Sequence, residues 1–196
     1  MQPAKVMNPF TYIPNYISID EQNQLIAYLD SLELIPAPMF KDSDISSRLQ
    51  RWYQKDNEYF CPKWKLRFPH WKSFPMDNTI MYLIDTMQSL VNSINIDMIP
   101  KIDSCLINKY PTGKHFIAPH RDSPDSFGLN PTIVILSLGE TRTLKFENNK
   151  EEFSFDLESG SIFIMSGNSQ TDYLHSLEKS ETMNCRYSLT FREFIL

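Results

Sequence analysis

Arg186-Tyr187-Ser188-Leu189-Thr190-Phe191-Arg192 alternates polar and apolar residues without a break. A period of two belongs to a β-strand, whose successive side chains point to opposite faces. Arg186, Ser188, Thr190 and Arg192 therefore share one face, with Tyr187, Leu189 and Phe191 on the other. A polar row of this kind on a C-terminal strand lines either a barrel interior or an open sheet surface. Two inward arginines are costly unless an anion meets them. Asn108 and Tyr110 repeat the i, i+2 spacing and bring an amide and a phenol to the same interior.

Further strands are expected at 103–110, 115–118, 132–138, 141–147, 151–156 and 161–165, and the closing strand at 186–194. Turn residues separate them at Pro111-Thr112-Gly113, Leu138-Gly139-Glu140, Asn148-Asn149 and Ser159-Gly160. Ahead of Pro100 the periodicity is helical. Ser18-Ile19-Asp20-Glu21 is a capping box that opens a helix through about Leu32, with Leu25, Ile26, Leu29 and Leu32 on one side. Prolines 36 and 38 end it. A second helix is expected from Asn78 to Ile94, its stripe formed by Ile80, Leu83, Ile84, Met87, Leu90, Val91 and Ile94. Helices followed by many short strands give an α+β fold: a β-sandwich or barrel with helices packed outside. A jelly roll and an up-and-down barrel fit the periodicity equally.

The 196 residues, 41% hydrophobic and 22% charged, suit one globular domain over 1–196. Residues 1–100 supply helical support and 101–196 the strand core. No run of about 18 apolar residues is present, so no membrane span is expected. The N-terminus lacks the apolar stretch of a secretion signal. Cys61, Cys105 and Cys185 make an odd count with no CxxC pair, which points to a reducing compartment, cytoplasm or nucleus. Nothing implies an obligate protein partner.

A net charge of −5 argues against coating nucleic acid by charge alone. Residues 41–72 depart from it, with eight Lys/Arg against four acids, a balance of +4 that leaves −9 on the remainder. Trp52, Tyr53, Tyr59, Phe60, Trp64, Phe68 and Trp71 interleave with those bases. Such a mixture suits phosphate contact plus base stacking. A solvated face over a hydrophobic loop explains it equally well.

His120 and Asp122, in Pro119-His120-Arg121-Asp122, are i and i+2, so in extended chain both side chains point the same way. Two imidazoles and one carboxylate form the set that holds non-haem iron(II) on one face and leaves the opposite positions open. His175 follows 55 residues later, beyond the apolar run Ser161-Ile162-Phe163-Ile164-Met165. A bare HxD is common by chance, and ordinary hydrogen-bonded histidines are the plain alternative. His70 lies in the basic aromatic segment, and His115 is an odd number of residues from His120; both make poorer ligands.

Asn108-Lys109-Tyr110-Pro111-Thr112-Gly113, followed by Pro119-His120-Arg121-Asp122, resembles the AlkB-type iron(II)/2-oxoglutarate dioxygenases. So do the segments 130–139, 160–165 and 170–177 and the closing Arg186–Arg192, in the family's order, over roughly residues 46 to 192. The resemblance implies a double-stranded β-helix (jelly-roll) core with the helices outside and a nucleotide-recognition lid at about 46–72. It implies Fe(2+) on His120, Asp122 and His175, with 2-oxoglutarate and O2 as co-substrates. Arg186 and Tyr110 would take the distal carboxylate, and Arg192 and Asn108 the metal-side end. Ser188 stands where the final motif commonly has Asn. Ser47-Arg48-Leu49-Gln50-Arg51-Trp52-Tyr53 is similar to the family's lid segment, and Glu58-Tyr59-Phe60-Cys61-Pro62 to the aromatic turn after it, with Ser47 and Gln54 in place of the usual Pro and Gly. These imply Arg48, Trp52, Tyr53 and Tyr59 as contacts to a flipped base. DNA-repair members often carry an acid two residues past the metal-binding Asp; here that position is Pro124, and Asp125 comes one step later. The implied activity is oxidative dealkylation of N-alkylated nucleobases in DNA or RNA. The same chemistry on a protein or small molecule, and a catalytically silent binding module, are the alternatives.

Overall fold

The computed structural model describes residues 5–7, 9–37, 47–56, 59–60, 63, 65, 71–94 and 99–195. Expectations for Glu58, Cys61, Pro62, Trp64, Phe68 and His70 lie outside the described residues.

Two sheets face each other. The larger contains β1 (Lys5–Met7), β2 (Phe10–Ile13), β3 (Ile35–Pro36), β4 (Leu49–Gln54) and β5 (Ser104–Tyr110). It also contains β7 (Ile133–Gly139), β10 (Ile162–Met165) and β12 (Arg186–Arg192), in the order β1-β2-β10-β7-β12-β5-β4-β3. The smaller runs β6-β11-β8-β9, from β6 (Ile117–His120), β8 (Arg142–Glu147), β9 (Glu152–Leu157) and β11 (Leu174–Leu177). From β5 onward the chain passes between the sheets at almost every step, with only β8 and β9 adjacent in both sequence and space. That is a jelly-roll wrap. An up-and-down barrel would pair strands in sequence order, so topology decides what periodicity left open.

α1 (Ile19–Asp30) and α2 (Asn78–Ser93) cover the outer face of the large sheet. Ser18 and Glu21 form the expected reciprocal cap on α1. Asp77 caps α2 through the Ile80 amide, 3.0 Å away. Leu29 and the α2 residues Ile80, Met87 and Val91 bury against Val134, Leu136, Ile164, Leu189 and Phe191. Every residue of β12 is buried, because its apolar face meets this layer while its polar face lines the space between the sheets. At the far end that space closes on aromatic packing, where Phe10, Phe146 and Phe163 sit 4.3 to 5.9 Å apart. Two short helices, α3 (Pro124–Phe127) and α4 (Ser169–Asp172), lead out of the Asp122 turn and into β11.

The structure corrects one expectation. Residues 49–54, expected as lid, form a sheet strand in which Leu49 pairs with Lys109 and Gln54 with Ser104. Trp52 and Tyr53 therefore face opposite sides of a sheet, and both are inside it, 2% and 1% exposed. Trp52 packs with Leu106, Phe127 and Phe194, and Tyr53 with the helix layer. Both rings are thus packed into the core rather than presented at a surface. Besides β4, four further strands were not expected: β1, β2, β3 and β11. Among the described residues, no helix is long and apolar enough to cross a membrane.

Candidate metal centre and its cavity

The β6–β11 pairing sets His120 directly opposite His175. Their ring centroids are 4.2 Å apart. Asp122 comes two residues past the end of β6 and turns its carboxylate between them. His120 Nε2 is 3.7 Å and His175 Nε2 3.9 Å from Asp122 Oδ1. All three donor atoms lie within 4.8 Å of one another. Bonds of about 2.1 Å place ligands of one ion roughly 3 to 4 Å apart, so the trio could close on a single metal with small side-chain shifts.

The electrostatics favour that role. Burial pushes the His175 imidazole down to about 3 and lowers His120 as well. Both rings are therefore neutral with a lone pair available, the form that binds metal. His120 Nδ1 is 2.9 Å from the Ala118 carbonyl; donating there, it leaves Nε2 to face the site. Burial pushes the Asp122 carboxyl up, but the guanidiniums of Arg192 and Arg48 act against it, and the net direction is down.

Beyond the trio the polar face of β12 does what its alternation suggested. Arg186 stands opposite Tyr110 and Ser188 opposite Asn108 in the β5–β12 register. The Arg186 guanidinium lies 5.4 Å from the Tyr110 ring centroid and donates to Ser137 Oγ at 3.0 Å. Arg192 Nε comes within 2.8 Å of Asp122 Oδ2, but its N–H is not aligned for a hydrogen bond, so the contact is ionic. Asp122 Oδ2, Arg186 Nε, and Arg192 Nε and Nη1 are buried without a hydrogen-bond partner among the described residues. Buried charges left this way are costly. A divalent cation at the carboxylate and a dicarboxylate between the guanidiniums would complete them, so the donor set fits both groups.

A cavity of about 570 Å³ is lined by the trio and by Asn108, Tyr110, Arg186, Ser188 and Arg192. Arg48, Gln50, Phe60 and Trp71 border it on the side of β4, and Phe116 and Arg121 near the His120 strand. Arg48 Nε donates to Asn108 Oδ1 at 2.9 Å, and the Gln50 and Asn108 amides are hydrogen-bonded at 2.6 Å. Asn108 thus joins the anion end to the Arg48 side of the cavity.

The remaining sequence expectations do not converge here. Tyr59 lies outside the cavity lining, packed against the Trp52 cluster with Lys65 Nζ 6.0 Å above its ring. Asp125 is the second residue of α3, 45% exposed at its side chain, and ion-pairs with Lys63 at 2.5 Å. His115 stays apart from the trio and bonds Thr112 through Nδ1.

Two residues were missed. Gln50, on β4, is i+2 from Arg48 just ahead of that strand, so period-two reading of 48–54 was enough to find it. Gln170, 2% exposed on α4, accepts the Asp122 amide N–H at 3.0 Å and turns its amide nitrogen to Met165 Sδ at 3.6 Å. No local sequence signal marks it.

With this geometry in view, comparison with known proteins is informative. A model of the 2OG-Fe(II) oxygenase superfamily matches residues 9–192. An uncharacterized protein, L905, of Acanthamoeba polyphaga mimivirus is 27% identical over 209 residues, covering 100% of this chain and 89% of its own length. The alpha-ketoglutarate-dependent dioxygenase AlkB of Escherichia coli is 34% identical over 101 residues, 46% of this chain and 45% of that protein. The DNA oxidative demethylase ALKBH2 of Arabidopsis thaliana is 26% identical over 118 residues, 47% of this chain and 38% of its own. The chain thus matches less than half the length of either AlkB-type relative. The solved structure of OsALKBH1 superposes with a TM-score of 0.66 at 18% identity, covering 97% of this chain and 100% of that one, which speaks for the fold.

Proposed function

Because the chain belongs to the 2OG-Fe(II) oxygenase superfamily, with AlkB-like relatives, we propose that it removes N-alkyl groups oxidatively from nucleobases in DNA or RNA. The observation that carries this reading is the convergence of His120, Asp122 and His175 at a cavity whose far wall holds two buried arginines. His120, Asp122 and His175 would hold iron(II). Arg186 with Tyr110 would clamp the distal carboxylate of 2-oxoglutarate, and Arg192 with Asn108 its metal-side end. Ser188, opposite Asn108, borders the same co-substrate space. Once bound, iron(II), 2-oxoglutarate and O2 supply the oxidation that turns an N–CH3 group into N–CH2OH, with succinate and CO2 as co-products; the hemiaminal then releases an aldehyde and the free N–H.

The chain's own residues do the rest. Arg186 and Arg192 fix the dicarboxylate by charge and forked geometry, which a lysine would not reproduce. Asp122 is kept ionised and both imidazoles neutral, so the trio needs no proton loss before it binds. Phe60, Trp71 and Phe116 give the substrate side an apolar lining that excludes water from the reacting carbon. Arg48, anchored by Asn108 and Ser47, offers donors to the acceptor edge of a base.

The test is a panel of N-methylated oligonucleotides and peptides, incubated with iron(II) and 2-oxoglutarate and assayed for aldehyde. Aldehyde from the oligonucleotides, absent in His120→Ala, is the expected outcome. Release from peptides alone would transfer the same chemistry to a protein substrate. No iron-dependent succinate from any mixture would mark a silent module.

A further inference from the structure

The strand β8 reads Arg142-Thr143-Leu144-Lys145-Phe146-Glu147, and its buried residues are Arg142, Leu144 and Phe146. Leu144 lines the cavity and Phe146 packs in the aromatic cluster at its closed end. Arg142 therefore occupies an inward position that a period of two assigns to an apolar side chain. It is 4% exposed. A guanidinium buried this far is costly unless its donors are met. Its Nη2 donates to the main-chain carbonyl of His115 at 3.2 Å and to that of Glu178.

Those two carbonyls flank the strands that carry the metal-site histidines. His115 comes two residues ahead of β6, and Glu178 directly follows β11. β6 is the edge strand of the small sheet and borders β11. Among the described residues two pairs join them, His120 with His175 and Ile117 with Leu177, with a register shift between. β11 by contrast runs in unbroken register with β8 from Leu174 to Leu177. β8 thus fixes His175, whereas a short ladder with an irregular register specifies the place of His120 weakly. Arg142 reaches from β8 past the end of β11 to the lead-in of β6, at the end of the ladder where pairing stops. We infer that Arg142 is a positioning residue of the metal centre: by bonding both carbonyls it holds the His120 strand in the register that lets the trio close on one ion. The inference rests on the metal reading above.

The test is titration of cobalt(II) into the full chain, followed by equilibrium dialysis and by the visible absorption of the bound ion, which reports its ligand geometry. Arg142→Met removes every donor; Arg142→Lys keeps the charge on a shorter stem without the fork. Affinity is expected to fall about 10-fold or more in R142M and by less in R142K, with an altered absorption band in both. Asp30→Asn, which loosens α1 on the outer face of the large sheet, is the control and should keep the wild-type affinity and band. A folded R142M that binds cobalt(II) as tightly as the wild type overturns the inference. So does equal weakening in D30N, since the effect would then follow stability alone. Should R142M fail to fold, R142K decides: a wild-type affinity and band there overturn the inference, and weaker binding with a changed band supports it. If the wild type itself binds no cobalt(II), the metal reading fails and this inference falls with it.

Discussion

Asp122 sits past the last paired residue of β6, so no strand holds it in place. Its backbone is tied to Gln170 and its carboxylate to Arg192. Partners that orient a ligand typically change metal affinity about 10–100-fold when removed. Gln170→Leu, nearly the same shape but without the acceptor, should weaken cobalt(II) binding within that range, read by equilibrium dialysis alongside circular dichroism to show an intact fold. Unchanged affinity would reduce Gln170 to packing. At this scale the sequence was uneven in what it disclosed. His120 and Asp122 were readable because i and i+2 share a face in extended chain. His175 was a candidate by its place beyond the apolar run 161–165 and by the poorer claims of His70 and His115, and the ordered series of motifs then implied it, since a four-residue strand shows too little periodicity to orient it. Gln170 gave no signal, because its partner is 48 residues away and its hydrogen bond goes to a main-chain group.

The elements that read most clearly were those with two different faces. β12 alternates without error because one face meets the helices and the other the polar cavity. Capping residues and an apolar stripe bounded α1 and α2 to within two residues. β4 was misread for a physical reason: Arg48, Arg51, Trp52 and Tyr53 look like a basic aromatic lid. Yet their alternation sends Tyr53 outward to the helix layer and Trp52 inward to Phe127 and Phe194. Burial on both faces of the large sheet makes its strands sensitive to cavities. Leu189, fully buried at the centre of β12, should cost about 2–5 kcal/mol when truncated to Ala. Chemical denaturation would show this as a lower midpoint with little change in slope. A loss under about 1 kcal/mol would mean that the helix layer collapses into the gap.

For the whole molecule, sequence periodicity gave the α+β class but not the wrap, because strand order is set by pairings between distant segments such as β5 with β12. One of the tethers holding α1 to that wrap is ionic. Lys109 donates to Asp30 at 2.7 Å, the Tyr187 hydroxyl donates to the same carboxylate oxygen, and together they hold the Asp30 carboxyl below its ordinary range. A carboxyl depressed in the folded state stabilises the fold above its unfolded value of about 3.9, and that contribution is lost as pH falls through the folded value. Wild-type stability should therefore drop more between pH 6 and pH 3 than that of Asp30→Asn, as followed by urea midpoints; parallel curves would show that the tether contributes nothing. All of the proposed chemistry depends on one ferrous ion being shared by β6, the turn after it, and β11. Anaerobic titration of iron(II) into the wild type and into His120→Ala, Asp122→Ala and His175→Ala tests this directly. One tight equivalent in the wild type, weakened severely by each substitution, is the expected result; a variant that binds iron as tightly as the wild type would contradict the shared site.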